Sequence, residues 1–276
     1  MSDQNPNPSG QVPGFPAGTP GANPPVIPPI GQMTPTGNSP TLGVSPAERA
    51  PISGVVGAIE AILRQPRRVM FCLKEPNPGG LITALLAIAI TCSLVYGIIV
   101  GTFSGAEQLW AAPVKIAVGL MISTLICLPS LYIFSCLGGS QARLVEVFGL
   151  VAGLLALMTV LLIGFAPVAW VFSQSTKSVF AMGILHLAFW LVATIFGLRF
   201  LLAGFTHFNA KSFAGVQVWV VVFLLVAMQM TTALRPIVGR ANSFLPAASD
   251  KKFFVNHWMD CIDAETNNVR QSAEAR

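Results

Sequence analysis

Five long apolar blocks lie between Leu81 and Leu234, and the longest of them contain no charged residue. A chain crosses the hydrocarbon of a bilayer only as a helix or a closed barrel, because no water is present there to bond the backbone polar groups. A helix of about 20 apolar residues covers a hydrocarbon core about 30 Å thick. The pattern therefore predicts an all-α protein, a polytopic bundle of about five transmembrane helices.

The composition excludes an ordinary soluble domain. Hydrophobic residues make up 53% of the chain and charged residues only 10%, whereas about a quarter of the residues in soluble domains are charged. The net charge of +5 does not indicate a nucleic-acid partner, because the basic residues cluster beside the apolar blocks, where anionic headgroups attract them. The partner that the composition predicts is the lipid bilayer, with no nucleic acid.

The apolar blocks set the boundaries of a predicted membrane domain at residues 79–236. At about 1.5 Å per residue, each block reaches about 30 Å as a helix. The connections between blocks are short, so consecutive spans are expected to lie antiparallel and close together. The predicted spans are residues 81–103, 116–137, 147–172, 179–204 and 214–234.

Two tails flank this domain. Residues 1–51 hold 13 of the 21 prolines, and such a segment cannot bury enough apolar surface to offset the entropy of ordering, so we predict a disordered tail. Pro25 and Pro28 have the Pro-x-x-Pro spacing, which is typical of a docking peptide for an aromatic-lined groove but also of a plain spacer. Residues 237–276 form the second tail, with a short amphipathic helix predicted at 250–262.

Residues 52–78, ahead of the first span, have the pattern of an interfacial amphipathic segment. Val55, Ile59 and Leu63 recur at helical spacing, but the apolar stretch is too short to span a membrane. We predict that its apolar face lies in the headgroup boundary and that its basic side chains contact phosphates. A helix packed against the bundle is the alternative. The candidate headgroup contacts are Arg64, Arg67, Arg68 and Lys74.

Ionisable residues are scarce inside the predicted spans. His186 and Arg199 are the candidate functional residues, because an ionisable group in a membrane is costly and is usually retained for function. The alternatives are a neutral His186 bonded across helices and an Arg199 that extends to the headgroups. Lys115 and Glu146 are predicted to lie at helix ends within reach of water. No phosphate loop or hydrolase motif is present in the sequence, so we expect a protein that is not an enzyme and needs no cofactor.

Glycines four residues apart predict close helix packing. Gly97 with Gly101, and Gly149 with Gly153, form Gly-x-x-x-Gly pairs in apolar helices. Such a pair makes a flat strip that another backbone can approach, and in lipid this packing drives association. The strips serve either the bundle itself or a homo-oligomer.

The layout resembles that of a known family. Residues 66–71 (PRRVMF) precede the first span, and residues 136–139 (CLGG) are followed by Arg143 and by a helix that opens with residues 144–147 (LVEV) and carries Pro167 near its far end. Together with a flexible N-terminus and about five spans, this is similar to the bacterial branch of the Yip family. The resemblance implies five spans, a cytoplasmic N-terminus in a bacterial inner membrane, and a non-enzymatic role in membrane organisation.

Three functional hypotheses follow. The first is a multi-pass, Yip-like scaffold or adaptor with a membrane-protein partner or a second copy of itself. The second is a small transporter or channel subunit that uses a cavity near Pro129, Pro167 and His186, since prolines inside spans kink helices. The third is a sensor of lipid charge through the four basic residues ahead of the first span.

Overall fold

The computed structural model describes residues 42–104, 108–175, 179–208, 210 and 212–233 and, singly, residues 259, 263 and 267. All regular structure in these residues is helical, which confirms the predicted all-α fold. The described helices are α1 Pro46–Arg49, α2 Gly54–Arg64, α3 Pro66–Leu73, α4 Gly79–Ser104, α5 Gln108–Leu137, α6 Leu144–Ser175, α7 Val179–His207 and α8 Ala214–Ala233.

Four of the described helices, α4 to α7, are long and apolar enough to cross a membrane, so the chain is an integral membrane protein. Their candidate spans are Gly79–Thr102, Trp110–Leu137, Leu144–Ser175 and Ala181–His207. The apolar part of α8 that is described, Ala214–Gln229, is shorter, and a fifth span stays a prediction. Helix α5 begins at Gln108, eight residues before the predicted start of its span.

Helix α6 lies at the centre of the bundle. It packs against α4 and α7, while α4 also packs against α5, and α5 against α8. Its most apolar window is 72% buried, compared with 39% or less for α4, α5 and α7. From Glu146 to Thr159 every residue of α6 except Phe148 is buried, so this half of the helix is surrounded by protein, whereas Trp170, Val171 and Phe172 farther along are about half exposed.

The ends of the helices meet in an antiparallel arrangement. The Gln141 backbone N–H donates to the Phe208 carbonyl at 3.1 Å, and the Ser212 N–H donates to the Gly138 carbonyl at 3.1 Å. These bonds bring together the end of α5, the start of α6, the end of α7 and the start of α8. We call this the near end of the bundle, because the N-terminal helices also lie there, and the opposite end the far end.

Helix α8 is fixed to α5 by a long-range hydrogen bond. The Trp219 indole Nε1–H donates to the Cys127 carbonyl at 2.7 Å, and both residues are buried. The Ser130 hydroxyl donates to the same carbonyl at 2.8 Å, so one backbone oxygen accepts two side-chain bonds. Trp219 also stacks on Phe223, with ring centroids 5.1 Å apart.

The predicted packing glycines lie at contacts inside the bundle. A Cβ on Gly149 would stand 2.5 Å from Leu73 Cδ2, one on Gly153 would stand 2.6 Å from Phe200 Cε1, and one on Gly97 would stand 2.9 Å from the Pro113 backbone N. Such separations are far below van der Waals contact, so the neighbours of these three glycines occupy the space that a side chain would need. The fourth, Gly101, is buried.

The N-terminal helices correct one predicted boundary. Residues 42–51 were assigned to the disordered tail, but α1 lies there and Leu42 packs against the core. Helices α2 and α3 pack on the bundle through buried residues such as Ala61, Ile62 and Met70, which is the alternative that the sequence left open for this segment. The rest of the predicted tail, residues 1–41, lies outside the described residues, as does the predicted helix at 250–262 apart from Met259, which is helical.

Replacing Gly97 by alanine is expected to destabilise the bundle, because the new methyl group meets the Pro113 backbone, which cannot rotate away. We expect a loss of about 1–3 kcal/mol, typical of overpacking. Gly164 on α6 is the matched control, since a Cβ there meets nothing within 4 Å. The midpoint of unfolding in mixed detergent and dodecyl sulfate should fall for Gly97→Ala and stay equal or rise for Gly164→Ala. Equal midpoints for the two variants would contradict the close approach of α4 and α5.

Candidate functional site

A tyrosine and a histidine meet inside the membrane domain. The Tyr96 hydroxyl on α4 lies 2.7 Å from His186 Nδ1 on α7, and the two rings form an edge-to-face pair with centroids 5.7 Å apart. Tyr96 is only 5% exposed. This polar side-chain contact joins α4 directly to α7, although both helices also pack on α6.

The second nitrogen of His186 gives this pair its chemical interest. His186 Nε2 is buried and has no hydrogen-bond partner among the described residues. When Tyr96 donates to Nδ1, Nε2 carries the ring hydrogen; when Nδ1 carries it, Nε2 presents a lone pair. A single buried ring nitrogen of this kind could hold a proton or accept a hydrogen bond from a small ligand.

The pair lies in the half of the membrane domain nearest the far end. Tyr96 is eight residues from the end of α4 and His186 seven residues from the start of α7. Both side chains therefore start about 11–12 Å along their helices from the far end. The pair thus lies deeper than the first two helical turns on that side.

Lys115 is a buried cation at a similar depth. Gly97, next to Tyr96, packs on Pro113, two residues before Lys115. Lys115 is 2% exposed, so the prediction that it lies within reach of water is wrong. The reason is the early start of α5, which adds two turns of helix before Lys115 and draws it into the bundle. An ionisable residue in such a place is a candidate functional residue, and the sequence analysis missed it.

Glu146 is also buried rather than near water, and it is only 6% exposed. Its Oε2 accepts the Arg143 backbone N–H at 2.6 Å, and its Oε1 accepts the Arg143 Nη2 at 2.9 Å. This is one half of a capping box at the start of α6, in which the carboxylate of the third helical residue accepts the N–H of the residue before the helix. Glu146 therefore has a structural role at the near end.

Pro129 lies toward the opposite end of the bundle from His186 and Pro167. Both prolines are exposed on the surface of the described bundle. Pro129 lies about 12 Å from the near end of α5, and Pro167 about 12 Å from the far end of α6. Each helix continues through its proline. The structure therefore does not bring together the three residues that the transporter hypothesis placed around one cavity.

Arg199 lies on the outer face of α7. It is exposed together with Ile195 and Phe196, one turn earlier on the same helix. Its Cα is about 12 Å along α7 from the near end, from which a long side chain can extend toward the headgroups. Arg199 and His186 thus do not belong to one site.

Three of the four candidate headgroup contacts bond to parts of the protein outside their own helix. Arg67 Nε lies 2.9 Å from Glu48 Oε1, and Lys74 Nζ donates to the His207 carbonyl at 2.6 Å. Arg68 donates to two backbone carbonyls: its Nε to that of Ala50 at 2.9 Å, and its Nη2 to that of Pro51 at 2.8 Å. The fourth residue, Arg64, is exposed and forms an ion pair with Glu60, 3.3 Å away on the same helix.

The contacts of Arg67 and Arg68 hold residues 42–53 against α3, and we call this arrangement the clasp. Glu48 Oε2 accepts the Gly43 N–H at 2.7 Å, and Arg49 Nε donates to the Gly43 carbonyl at 2.6 Å. Gly43 has φ of 82°, and a Cβ there would stand 2.6 Å from the Phe71 ring. Only glycine suits both conditions. The clasp was missed in the sequence because its contacts join residues up to 28 positions apart.

No family model, curated protein or solved structure matches the chain. The resemblance to the Yip family therefore stays a prediction from layout. The assignment to the membrane depends on the four long apolar helices alone.

The Tyr96–His186 bond should appear as a coupling between two substitutions. Tyr96→Phe leaves the buried imidazole with neither nitrogen bonded, while the double variant Tyr96→Phe with His186→Phe removes both polar groups. We expect the two single changes to destabilise the protein, with a coupling energy of about 0.5–2 kcal/mol in a double-mutant cycle. Strictly additive single and double variants would contradict the contact.

Loss of the Glu48 charge should loosen the clasp. Glu48→Gln removes an ion pair with Arg67 that is partly buried, whereas Glu60→Gln removes an exposed pair, which contributes little. In limited proteolysis of the detergent-solubilised protein, we expect faster cleavage within residues 42–53 for Glu48→Gln only. Equal cleavage of the two variants and the wild type would show that Glu48 does not hold this segment.

Proposed function

We propose that the protein is a non-enzymatic membrane scaffold that holds a proline-rich arm, residues 1–41, at one defined place on the membrane surface. The observation that carries this proposal is the clasp. It ties the chain to the bundle directly after the arm, through the Glu48–Arg67 ion pair and the two carbonyls that Arg68 binds.

A clasped arm differs from a free tail in what it can do. Leu42, the first described residue after the arm, packs against the core, so the chain is attached to the bundle directly after the arm. A binding peptide on a short tether has a high effective concentration for any partner in the same membrane. This property suits a scaffold, which holds a partner in place.

The charge distribution supports a cytoplasmic near end. Lysine and arginine are enriched in the cytoplasmic segments next to spans. On this basis the N-terminus and the arm are cytoplasmic, in agreement with what the resemblance to the Yip family implies for a bacterial inner membrane. The described basic residues of the near end are Arg49, Arg64, Arg67, Arg68, Lys74 and Arg143.

The arm has the chemistry to bind a groove lined with aromatic side chains. Pro25 and Pro28 have the Pro-x-x-Pro spacing, and a polyproline helix loses little entropy on binding because it is already extended. The partner is then a protein that carries such a groove at the same membrane. The spans do not need this partner for their own assembly, because the glycine contacts inside the bundle hold them together.

The scaffold is tested by purification of the full chain from its own membranes in mild detergent. We expect one defined protein to co-purify in repeated preparations, and to be lost when Pro25 and Pro28 are both replaced by alanine. Pro35 and Pro40, replaced in the same way, are the matched control in the same arm. A protein that repeatedly comes out alone contradicts the scaffold, and a partner that survives the first double substitution contradicts the role of the arm.

A second candidate function is favoured by the buried polar groups near the far end. His186 Nε2 and Lys115 are buried in membrane helices, and such groups mark ion or proton pathways in transporters. Proton flux into vesicles that contain the purified protein and a pH-sensitive dye tests this candidate. If the candidate is right, the protein produces a flux above that of empty vesicles, His186→Ala abolishes this flux and Pro129→Ala preserves it. A wild-type flux equal to that of empty vesicles excludes the candidate.

A further inference from the structure

Helix α2 has apolar residues on two sides, and the bundle covers only one of them. Ala58, Ala61 and Ile62 are at most 1% exposed and pack on the core. On the other side, Val56 is 79% exposed, and Val55 and Leu63 are each almost half exposed. A water-facing surface of a helix at the protein exterior usually carries polar residues, so this second side needs an apolar environment.

The depth of α2 along the bundle shows which environment is available. The Ile62 Cδ1 lies 3.6 Å from the position of a Cβ on Gly153. Gly153 is nine residues from the start of α6, which places this contact about 14 Å along the helix from the near end. Helix α2 therefore packs against the side of the long helices and does not lie across their tips.

The length of α6 places this contact at the edge of the hydrocarbon. Helix α6 has 32 residues and is therefore about 48 Å long, which exceeds the hydrocarbon thickness by about 18 Å. Trp170, half exposed near the far end, marks the interface on that side, because tryptophan favours the headgroup level. The opposite boundary of the hydrocarbon lies about 30 Å, or about 20 residues, back along α6, at Leu150. Gly153 and Ile62 lie just inside that boundary.

We propose that α2 lies in the plane of the cytoplasmic leaflet and inserts Val55, Val56 and Leu63 among the acyl chains. Helix α2 packs on α4 and α6, which places this surface beside the membrane-spanning helices. The exposed Glu60–Arg64 ion pair lies on the same helix and stays at the headgroup level.

This anchor keeps one part of what the sequence pattern predicts, the apolar face in the membrane, but not the other, in which basic side chains bind the phosphates. Arg67, Arg68 and Lys74 are bonded to the protein, and the lipid contact is an apolar stripe on α2. The anchor is also independent of the proline-rich arm, so it holds whether or not the chain is a scaffold.

The experiment places a nitroxide label at single cysteines in the full chain, after the native cysteines have been replaced by alanine. The labelled positions are Val56→Cys, Glu60→Cys on the same helix, and Leu191→Cys on the exposed face of α7 as the lipid reference. Each variant is reconstituted in vesicles of phosphatidylcholine and phosphatidylglycerol. Power saturation then measures collisions with oxygen, which is concentrated in lipid, and with a nickel chelate, which stays in water.

We expect the label at position 56 to collide mainly with oxygen, as at position 191, and the label at position 60 to collide more with the nickel chelate. If position 56 behaves like position 60, or is shielded from both reagents by protein, the lipid anchor is overturned. As long as position 191 reports lipid, such a result leaves the membrane assignment intact. Co-purification through the arm is measured separately, so failure of the lipid anchor would not contradict the scaffold.

Discussion

The structure depends on the enclosure by protein of the first half of helix α6, from Glu146 to Thr159. In lipid, apolar side chains gain nothing by leaving the acyl chains, so close van der Waals packing must hold helices together. Gly149 and Gly153 permit that packing, because Leu73 and Phe200 occupy the positions where their side chains would be. Gly197 and Gly204 on α7 repeat the arrangement from the opposite direction, with Met158 and Leu150 against them. The α6–α7 contact is therefore built from glycine on both helices.

The enclosure also explains the N-terminal helices. Because α6 is about 18 Å longer than the hydrocarbon is thick, part of it extends beyond the acyl chains. Apolar surface in contact with water is unfavourable, and at the near end α3 covers it. Leu73 on Gly149 is one such contact. The clasp then closes over α3 and fixes the chain that leads to the arm.

The sequence predicts the long helices well, because backbone satisfaction in lipid leaves no other structure for an apolar run of this length. It does not predict which apolar face meets lipid and which meets protein, since Val56 and Ile62 look alike in a pattern yet have opposite exposures. The burial of Lys115 was missed because the start of α5 was placed too late. His186 was identified as a candidate, but its partner Tyr96 is 90 residues away and no local pattern indicates it.

The attachment of α8 to α5, and not to its sequence neighbour α7, has a consequence for biogenesis. Membrane helices leave the ribosome one at a time, and α5 is made long before α8. Until α8 is made, the Cys127 carbonyl lacks its indole donor and the flank of α5 that α8 covers has no protein neighbour there. A chain released before Trp219 is synthesised would thus lack the α5–α8 contact and remain an open-sided intermediate.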